Sequence, residues 1–207
     1  MKKAIILDLD NTIFPMPSIG DTLFAPLFNL IKEKGEYQDV LPGIREDVMS
    51  IPFQKVADKY KLDDELKKEA IRLLSQLTYD GKILPYPDYS IVRSLPVRRF
   101  IVTMGFAKMQ WSKIKQLGIE EDFEKVIVLD PQHTVKIKKD AFQDIMTEFG
   151  YQPGELLVIG DDPLSEIRGA AELGIETVLY NHEGKPTIPG ADHTITNYQQ
   201  LKEIFQW

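Results

Sequence analysis

The chain has 207 residues, of which 43% are hydrophobic, a formal net charge of −7 and no cysteine. The hydrophobic fraction suits an ordinary packed core, and the acidic balance disfavours nucleic acid, whose binding depends on basic contacts to phosphates. The lack of cysteine excludes disulfides, cysteine nucleophiles and thiolate metal sites. Since no stretch approaches the ~18 apolar residues of a membrane span, we expect a cytoplasmic globular protein, a monomer or weak homodimer, that binds neither nucleic acid nor membranes.

A short apolar run, residues 4–7, leads directly into the acidic stretch DLDNT at 8–12. The run is too short for a signal peptide, and a calcium loop would need glycine and glutamate where Ile13 and Ile19 stand. A continuous isoleucine-rich run is typical of a strand buried on both faces of a parallel sheet, and ligands bind beyond the carboxyl ends of such strands. The pattern therefore favours two aspartates at the mouth of a site. A solvated turn is the plainer alternative.

Residues 15–88 contain helical patterns and no comparable strand-like run. A stripe of apolar residues at helical spacing predicts a helix over 66–77, and 22–34 and 53–60 are further candidates. Prolines stand near both ends of the segment, as expected where a chain leaves and re-enters a rigid core. We therefore predict an α/β core of residues 1–14 and 89–207, interrupted after its first strand by a helical cap of residues 15–88.

The second half alternates strand-like runs with helical patterns. Three helical stretches end at Gly118, Gly150 and Gly174, each followed by an apolar or aromatic residue, a common way of closing a helix in the left-handed conformation. This alternation predicts βα units and a parallel sheet. The predicted strands are 99–103, 125–129, 156–159 and 176–180, with 191–196 a weaker edge strand, and the predicted helices are 107–117, 139–149, 164–173 and 198–205.

Polar residues follow three of these strands. Asp8 and Asp10 follow the first, Thr103 ends the second, and Asp161 comes after 156–159. Parallel strands would bring them to one edge of the sheet, where three acids repel each other unless a cation such as Mg²⁺ joins them. With the metal, Asp8 can attack phosphorus, and Asp10 can protonate the leaving oxygen and later deprotonate water. The alternative roles are a helix cap for Asp161 and a simple strand end for Thr103.

The stretch DLDNT, Thr103, a lysine near 136–139 and GDDPLSEIRGA follow one another as in the haloacid dehalogenase superfamily of phosphohydrolases, which the chain resembles over residues 3–181. The resemblance implies a Rossmann-like core with an inserted helical cap. It implies that Asp8 is the nucleophile, Asp10 the general acid/base, and Thr103 and a lysine the phosphate-binding residues. Members that cleave carbon–halogen bonds lack the second aspartate, so Asp10 argues for phosphate chemistry.

The same resemblance implies that Asp161 holds Mg²⁺ together with the Asp8 carboxylate and the backbone carbonyl of Asp10. Many relatives carry an aspartate five residues after Asp161, where this chain has Glu166. The longer side chain of Glu166 can still supply a carboxylate to the metal shell, directly or through water. Asp162 replaces the common serine or threonine, and it either joins that shell or caps the following helix.

The lysine motif departs from the family pattern. Relatives often have Lys-Pro-x-Pro-x-x-Phe, whereas this chain reads KIKKDAF at 136–142, without prolines. The six-residue gap to Phe142 favours Lys136 as the phosphate ligand, and Lys138 is the alternative. Lys139 is expected on a solvated helix face.

The function indicated is a Mg²⁺-dependent phosphomonoesterase that acts on a small phosphorylated metabolite through an aspartyl-phosphate. A sugar phosphomutase of the same superfamily, or a catalytically silent member that binds a ligand or partner, are the alternatives. Aromatic and apolar residues of the cap are expected either to line the leaving-group pocket or to pack within the cap. These residues are Phe14, Met16, Phe24, Phe28 and Phe53.

Overall fold

A computed structural model of the chain describes residues 1–184, 186 and 189–205. Its six strands form one sheet in which every neighbouring pair is parallel. The strands are β1 (Ala4–Leu7), β2 (Arg98–Met104), β3 (Lys125–Leu129), β4 (Leu156–Gly160), β5 (Glu176–Tyr180) and β6 (His193–Ile195). Their order across the sheet is β3-β2-β1-β4-β5-β6, that of a Rossmann-like fold. The predicted fold class and the edge strand β6 are confirmed.

Six helices separate β1 from β2: α1 (Pro17–Leu23), α2 (Ala25–Lys34), α3 (Leu41–Asp47), α4 (Phe53–Lys59), α5 (Asp64–Leu74) and α6 (Tyr89–Ser94). Two differences from the sequence prediction have physical reasons. The helix predicted over 22–34 begins only at Ala25, because Pro26 lacks an amide hydrogen and fits only a first helical turn. Helix α3 escaped prediction because it buries Ile44 alone, so it shows no apolar period.

The second half of the chain contains α7 (Ala107–Leu117), α8 (Lys138–Phe149), α9 (Arg168–Ala171) and α10 (Leu201–Phe205). Gly118 and Gly150 close α7 and α8 with φ of 65° and 70°, as their positions predicted. The helix predicted over 164–173 is instead a π-helical turn, Pro163–Ile167, that leads into the short α9. Turns of this kind are rare and are frequently found at functional sites.

The two faces of β1 belong to two different apolar clusters. Ala4 and Ile6 pack with residues of α8 on one face of the sheet. Ile5 and Leu7 lie on the other face, in a cluster that continues without a break into the helices between β1 and β2. The insertion is therefore packed against the end of β1 through a shared core. No helix among the described residues is long and apolar enough to span a bilayer.

The end of the described chain is fastened to the loop that follows β1. Tyr198 is fully buried, and its hydroxyl donates a 2.5 Å hydrogen bond to the backbone carbonyl of Thr12. Its ring stacks on Tyr180 with centroids 4.6 Å apart. The Tyr180 hydroxyl is also buried, but it has no hydrogen-bond partner among the described residues. Two stacked tyrosines thus differ in whether their hydroxyl is paired.

We expect Tyr198→Phe to lower the free energy of unfolding by about 1–3 kcal/mol, because the Thr12 carbonyl would stay buried without its donor. Tyr180→Phe is the matched control and should leave stability unchanged or slightly raised, since it removes an unpaired buried hydroxyl. Urea unfolding of both variants measures the difference. Equal losses would show that the hydrogen bond to Thr12 contributes nothing.

Candidate active site

Three neighbouring strands bring their carboxyl ends to one crevice. Asp8 follows β1 directly, Thr103 lies near the end of β2, and Asp161 follows β4. Because β1 lies between β2 and β4 in the sheet, the three side chains stand next to one another at the same edge. The Asp8 amide donates to the carbonyl of Ile159 at 3.0 Å. The hydrogen bonding between β1 and β4 therefore continues up to Asp8, the candidate nucleophile.

Lys138, the first residue of α8, points into this crevice. Its side chain is only 6% exposed, and its Nζ lies 2.6 Å from Asp8 Oδ1. The same Nζ contacts the carboxylate of Glu166, which is also buried. The structure places Lys136 outside the crevice, exposed and paired with Asp144 at 2.6 Å. Of the two lysines that the sequence offered, Lys138 is the one beside Asp8, because α8 begins there and turns it inward.

Burial and the crowding of acids shift the pKa values of charged side chains in the crevice. Burial raises the pKa of Asp8 to about 7; Lys138 opposes this shift, while the Glu166 and Asp10 carboxylates add to it. Burial, with the Glu166 and Asp8 carboxylates, raises the pKa of Asp161 well above its usual value. Burial acts to lower the pKa of Lys138, but the two carboxylates that flank it raise that pKa overall. Lys138 thus faces several acids, and burial and crowding make negative charge in the crevice unfavourable.

Glu166 reaches the crevice because the backbone below it is glycine. A Cβ on Gly160 would lie 2.6 Å from Glu166 Cγ, so only glycine lets this side chain fold over the end of β4. Its second oxygen accepts the amide of Asp162 at 3.1 Å. The Asp162 carboxylate accepts the amide of Leu164 at 2.8 Å and therefore caps the π-helical turn. Glu166 is the partner of Lys138, while Asp162 acts as a cap.

Asp10 is held by two residues that the sequence analysis missed. Lys113 Nζ lies 2.9 Å from both Asp10 oxygens, and its side chain is only 3% exposed. Gln110 bridges two candidate residues, because its Nε2 lies 3.0 Å from Asp10 Oδ2 and 2.7 Å from Thr103 Oγ1. A signal did exist: Gln110 and Lys113 occupy positions of the buried stripe of α7, where apolar residues are the rule.

Asn11 joins the loop after β1, which carries Asp10, to the insertion. It adopts a left-handed conformation with φ of 54°, which asparagine tolerates better than most residues. Its side-chain amide donates to the carbonyl of Met49 at 2.9 Å, and its side-chain oxygen accepts the amide of Met16 at 3.0 Å. One side chain thereby fixes the segment after α3 against the loop that carries Asp10.

A cavity of about 580 Å³ lies above the crevice, within the range of ~300–1,000 Å³ typical of small-molecule sites. Its polar floor contains Asp8, Asp10, Thr103, Lys138 and Asp161. The insertion supplies the roof, which is mostly apolar. All five residues proposed from the sequence belong to the apolar core, and three of them also line the cavity: Met16, Phe24 and Phe53.

The crevice suits Mg²⁺ by its chemistry. Among the described residues, no three histidine or acidic side chains are gathered into a ready-made metal centre. Mg²⁺ does not need one, because it is usually held by one or two carboxylates and several waters. Asp8 and Asp161 are buried carboxylates whose raised pKa values reflect unfavourable negative charge, and a divalent cation would offset it. The residues present therefore fit the metal.

A Rossmann-like sheet with a pocket of acids and a buried lysine at its carboxyl edge describes an α/β enzyme, and comparisons with known proteins specify which kind. A family model for haloacid dehalogenase-like hydrolases matches residues 2–174. The glyceraldehyde 3-phosphate phosphatase of Pyrococcus furiosus is 30% identical, with 99% of this chain and 93% of the relative covered. The chain therefore belongs to the haloacid dehalogenase-like hydrolase family.

Solved structures agree with this fold. The crystal structure of a HAD phosphatase from Thermococcus onnurineus has a TM-score of 0.66 at 20% identity, covering 98% of this chain and 97% of that one. The HAD-hydrolase YfnB from Bacillus subtilis, solved bound to magnesium, has a TM-score of 0.58 at 19% identity, covering 100% and 99%.

We expect Lys138→Met to reduce turnover of an aryl phosphate by on the order of 10²–10³-fold, the usual loss when one preorganised donor to a reacting anion is removed. Lys136→Met is the matched control and should retain wild-type turnover, because Lys136 is exposed and pairs with Asp144. Rates at saturating Mg²⁺ are compared together with thermal unfolding. A large loss in Lys136→Met, with Lys138→Met active and folded, would reverse the assignment.

Proposed function

We propose that this protein is a Mg²⁺-dependent phosphomonoesterase that acts on a small phosphorylated metabolite through an aspartyl-phosphate on Asp8. One observation carries the proposal: a buried carboxylate at the end of β1 lies 2.6 Å from a buried lysine. In such a pair the lysine can bind the phosphoryl oxygens while the neighbouring carboxylate attacks phosphorus. The relative reported above that is named as a phosphatase supports hydrolysis over the phosphomutase alternative, in which the phosphoryl group returns to a sugar.

In the first step an Asp8 carboxylate oxygen attacks phosphorus. A bond forms between that oxygen and phosphorus, the bond from phosphorus to the leaving oxygen breaks, and Asp10 supplies a proton to that oxygen. Lys138 fixes the Asp8 carboxylate and carries positive charge toward the phosphoryl oxygens. The Thr103 hydroxyl oxygen accepts a hydrogen bond from Gln110, so the hydroxyl hydrogen is available to donate to the phosphoryl group.

In the second step Asp10 takes a proton from water, which attacks phosphorus and releases phosphate from Asp8. The carboxylate of Asp10 must keep one position through both steps, and its hydrogen bonds from Lys113 and Gln110 support that role. Both donors are buried on α7, so they are held by packing as well as by the bonds themselves. Oriented in this way, one carboxylate can serve the leaving oxygen and then the water.

The carboxylates of Asp8 and Asp161, with the backbone carbonyl of Asp10, would hold Mg²⁺. When bound, the metal offsets the repulsion between the Asp8 carboxylate and the phosphoryl oxygens. Glu166 is engaged by Lys138 and by the amide of Asp162, which favours a supporting role for it over direct metal binding.

Asp8→Asn is expected to abolish turnover of p-nitrophenyl phosphate with Mg²⁺, since an amide cannot supply the attacking oxygen. The wild-type enzyme should be active, and EDTA should stop it. Because the amide has nearly the shape of the carboxylate and Glu166 still pairs with Lys138, the variant should remain folded, which thermal unfolding checks. More than a few per cent of the wild-type rate in folded Asp8→Asn would count against the nucleophile, and no turnover of any phosphoester by the wild type would count against the function.

Asp161→Ala should raise the Mg²⁺ concentration that gives half-maximal activity, because one of the few oxygen ligands is lost. Asp162→Ala provides the control, since that carboxylate caps the π-helical turn. It should cost about 0.5–2 kcal/mol of stability, as lost caps do, and leave the Mg²⁺ dependence unchanged. Magnesium titrations of the two variants, alongside urea unfolding, separate the roles. Identical half-saturating concentrations in wild type and Asp161→Ala would contradict the ligand assignment.

A further inference from the structure

We propose that the phosphoester cleaved in this site carries an apolar leaving group, an alkyl or aryl alcohol, rather than a sugar or a group with a second phosphate. The inference rests on the proposed function and concerns the chamber above the crevice, defined as the cavity of about 580 Å³ between the acids and the insertion.

The insertion turns apolar side chains toward this chamber. They come from four separate segments: Met16 and Phe24 at the two ends of α1, Val48 and Ile51 after α3, Phe53 at the start of α4, and Leu74 at the end of α5. The α/β core adds Phe106 and Met109 from the start of α7. Apolar residues thus surround the space beyond the phosphate on both sides.

Polar side chains of the insertion lie at the margin of the chamber. Ser50 and Lys55 are exposed, and Gln54 is half-buried. The side chain of Asn11, in the loop after β1, is already hydrogen-bonded to the backbone of Met49 and Met16. Sugar hydroxyls placed against the apolar walls would lose hydrogen bonds to water and gain few protein partners, which makes their binding unfavourable.

Five cations among the described residues line the chamber; four of them are already paired, and the fifth, Lys55, is exposed at the margin. Lys138 and Lys113 bind Asp8 and Asp10 on the floor. Lys139 and Arg168 at the edge both contact Glu172, at 2.8 Å and 3.2 Å. A second phosphate enclosed in the chamber would need a free cation beside it to compensate the loss of its hydration, so the arrangement disfavours leaving groups that place a second phosphate there.

The size of the chamber points the same way. A phosphorylated three-carbon sugar would fill only part of it, whereas a longer alkyl chain or an aromatic ring would cover the apolar walls. Contact with those walls, rather than specific hydrogen bonds, would then discriminate among substrates.

A series of n-alkyl phosphates from ethyl to octyl tests the inference. The acidity of the leaving alcohol hardly changes along the series, so the chemical step is nearly constant and only apolar contact grows. We expect kcat/KM with Mg²⁺ to rise about fourfold per methylene until the chamber is filled, the factor that burial of a methylene gives. Hexyl phosphate should exceed glycerol 3-phosphate. A flat series, or faster cleavage of glycerol 3-phosphate, would overturn the inference.

The outcome separates this inference from the proposed function. If ethyl and p-nitrophenyl phosphates are cleaved but chain length has no effect, the enzyme is a phosphomonoesterase and only the apolar leaving group is wrong. If no ester in the series and no aryl phosphate is cleaved, the proposed function itself fails.

Matched methionine variants locate the effect. Met49 is half-buried and lines the chamber, so Met49→Gln should lower the hexyl-to-ethyl ratio of kcat/KM several-fold. Met146→Gln makes the same change at a half-buried position of the opposite sheet face and should leave the ratio unchanged. Met109→Gln provides a second chamber variant should Met49→Gln fold poorly. Unchanged ratios in both chamber variants would count against the walls as the source of selectivity.

Discussion

The arrangement of this protein depends on one buried cation, the ammonium of Lys138 between the carboxylates of Asp8 and Glu166. Charges in such a place are unfavourable unless they are paired and hydrogen-bonded, and each of the three side chains is buried. Much of the surrounding structure serves this pairing. Gly160 makes room for Glu166, the π-helical turn carries that residue inward, and α8 begins where Lys138 must point into the crevice.

A second pairing, between Lys113 and Asp10, repeats the same principle beside the first. The two lysines approach from α7 and α8, and each is matched to one aspartate of the DLDNT stretch. The separation gives each aspartate its own environment. Asp8 is held by a lysine shared with Glu166, whereas Asp10 shares Gln110 with Thr103. Two carboxylates two residues apart can therefore take different parts in one reaction.

The sheet could be predicted from the sequence because the patterns that mark its strands and helices lie within short stretches of the chain. Short apolar runs and helix-closing glycines mark the strands and helices, and the order of parallel strands then brings Asp8, Thr103 and Asp161 to one edge. Choosing between Lys136 and Lys138 requires knowing where α8 begins, and the stretch KIKKDAF does not reveal that boundary. Gln110 and Lys113 were missed because the partner that explains them, Asp10, lies about a hundred residues earlier in the chain.

Asn11 connects the insertion to the loop that carries Asp10. Its side chain bonds the backbone at Met16 and Met49, while its own backbone directly follows Asp10. The segment after α3 is therefore hydrogen-bonded to the loop after β1, although 38 residues separate Asn11 from Met49 in the chain. A bound molecule that displaces this part of the roof must also strain or break the hydrogen bonds to the loop that carries Asp10. Fit in the chamber and the position of the Asp10 loop are thereby set by the same contacts.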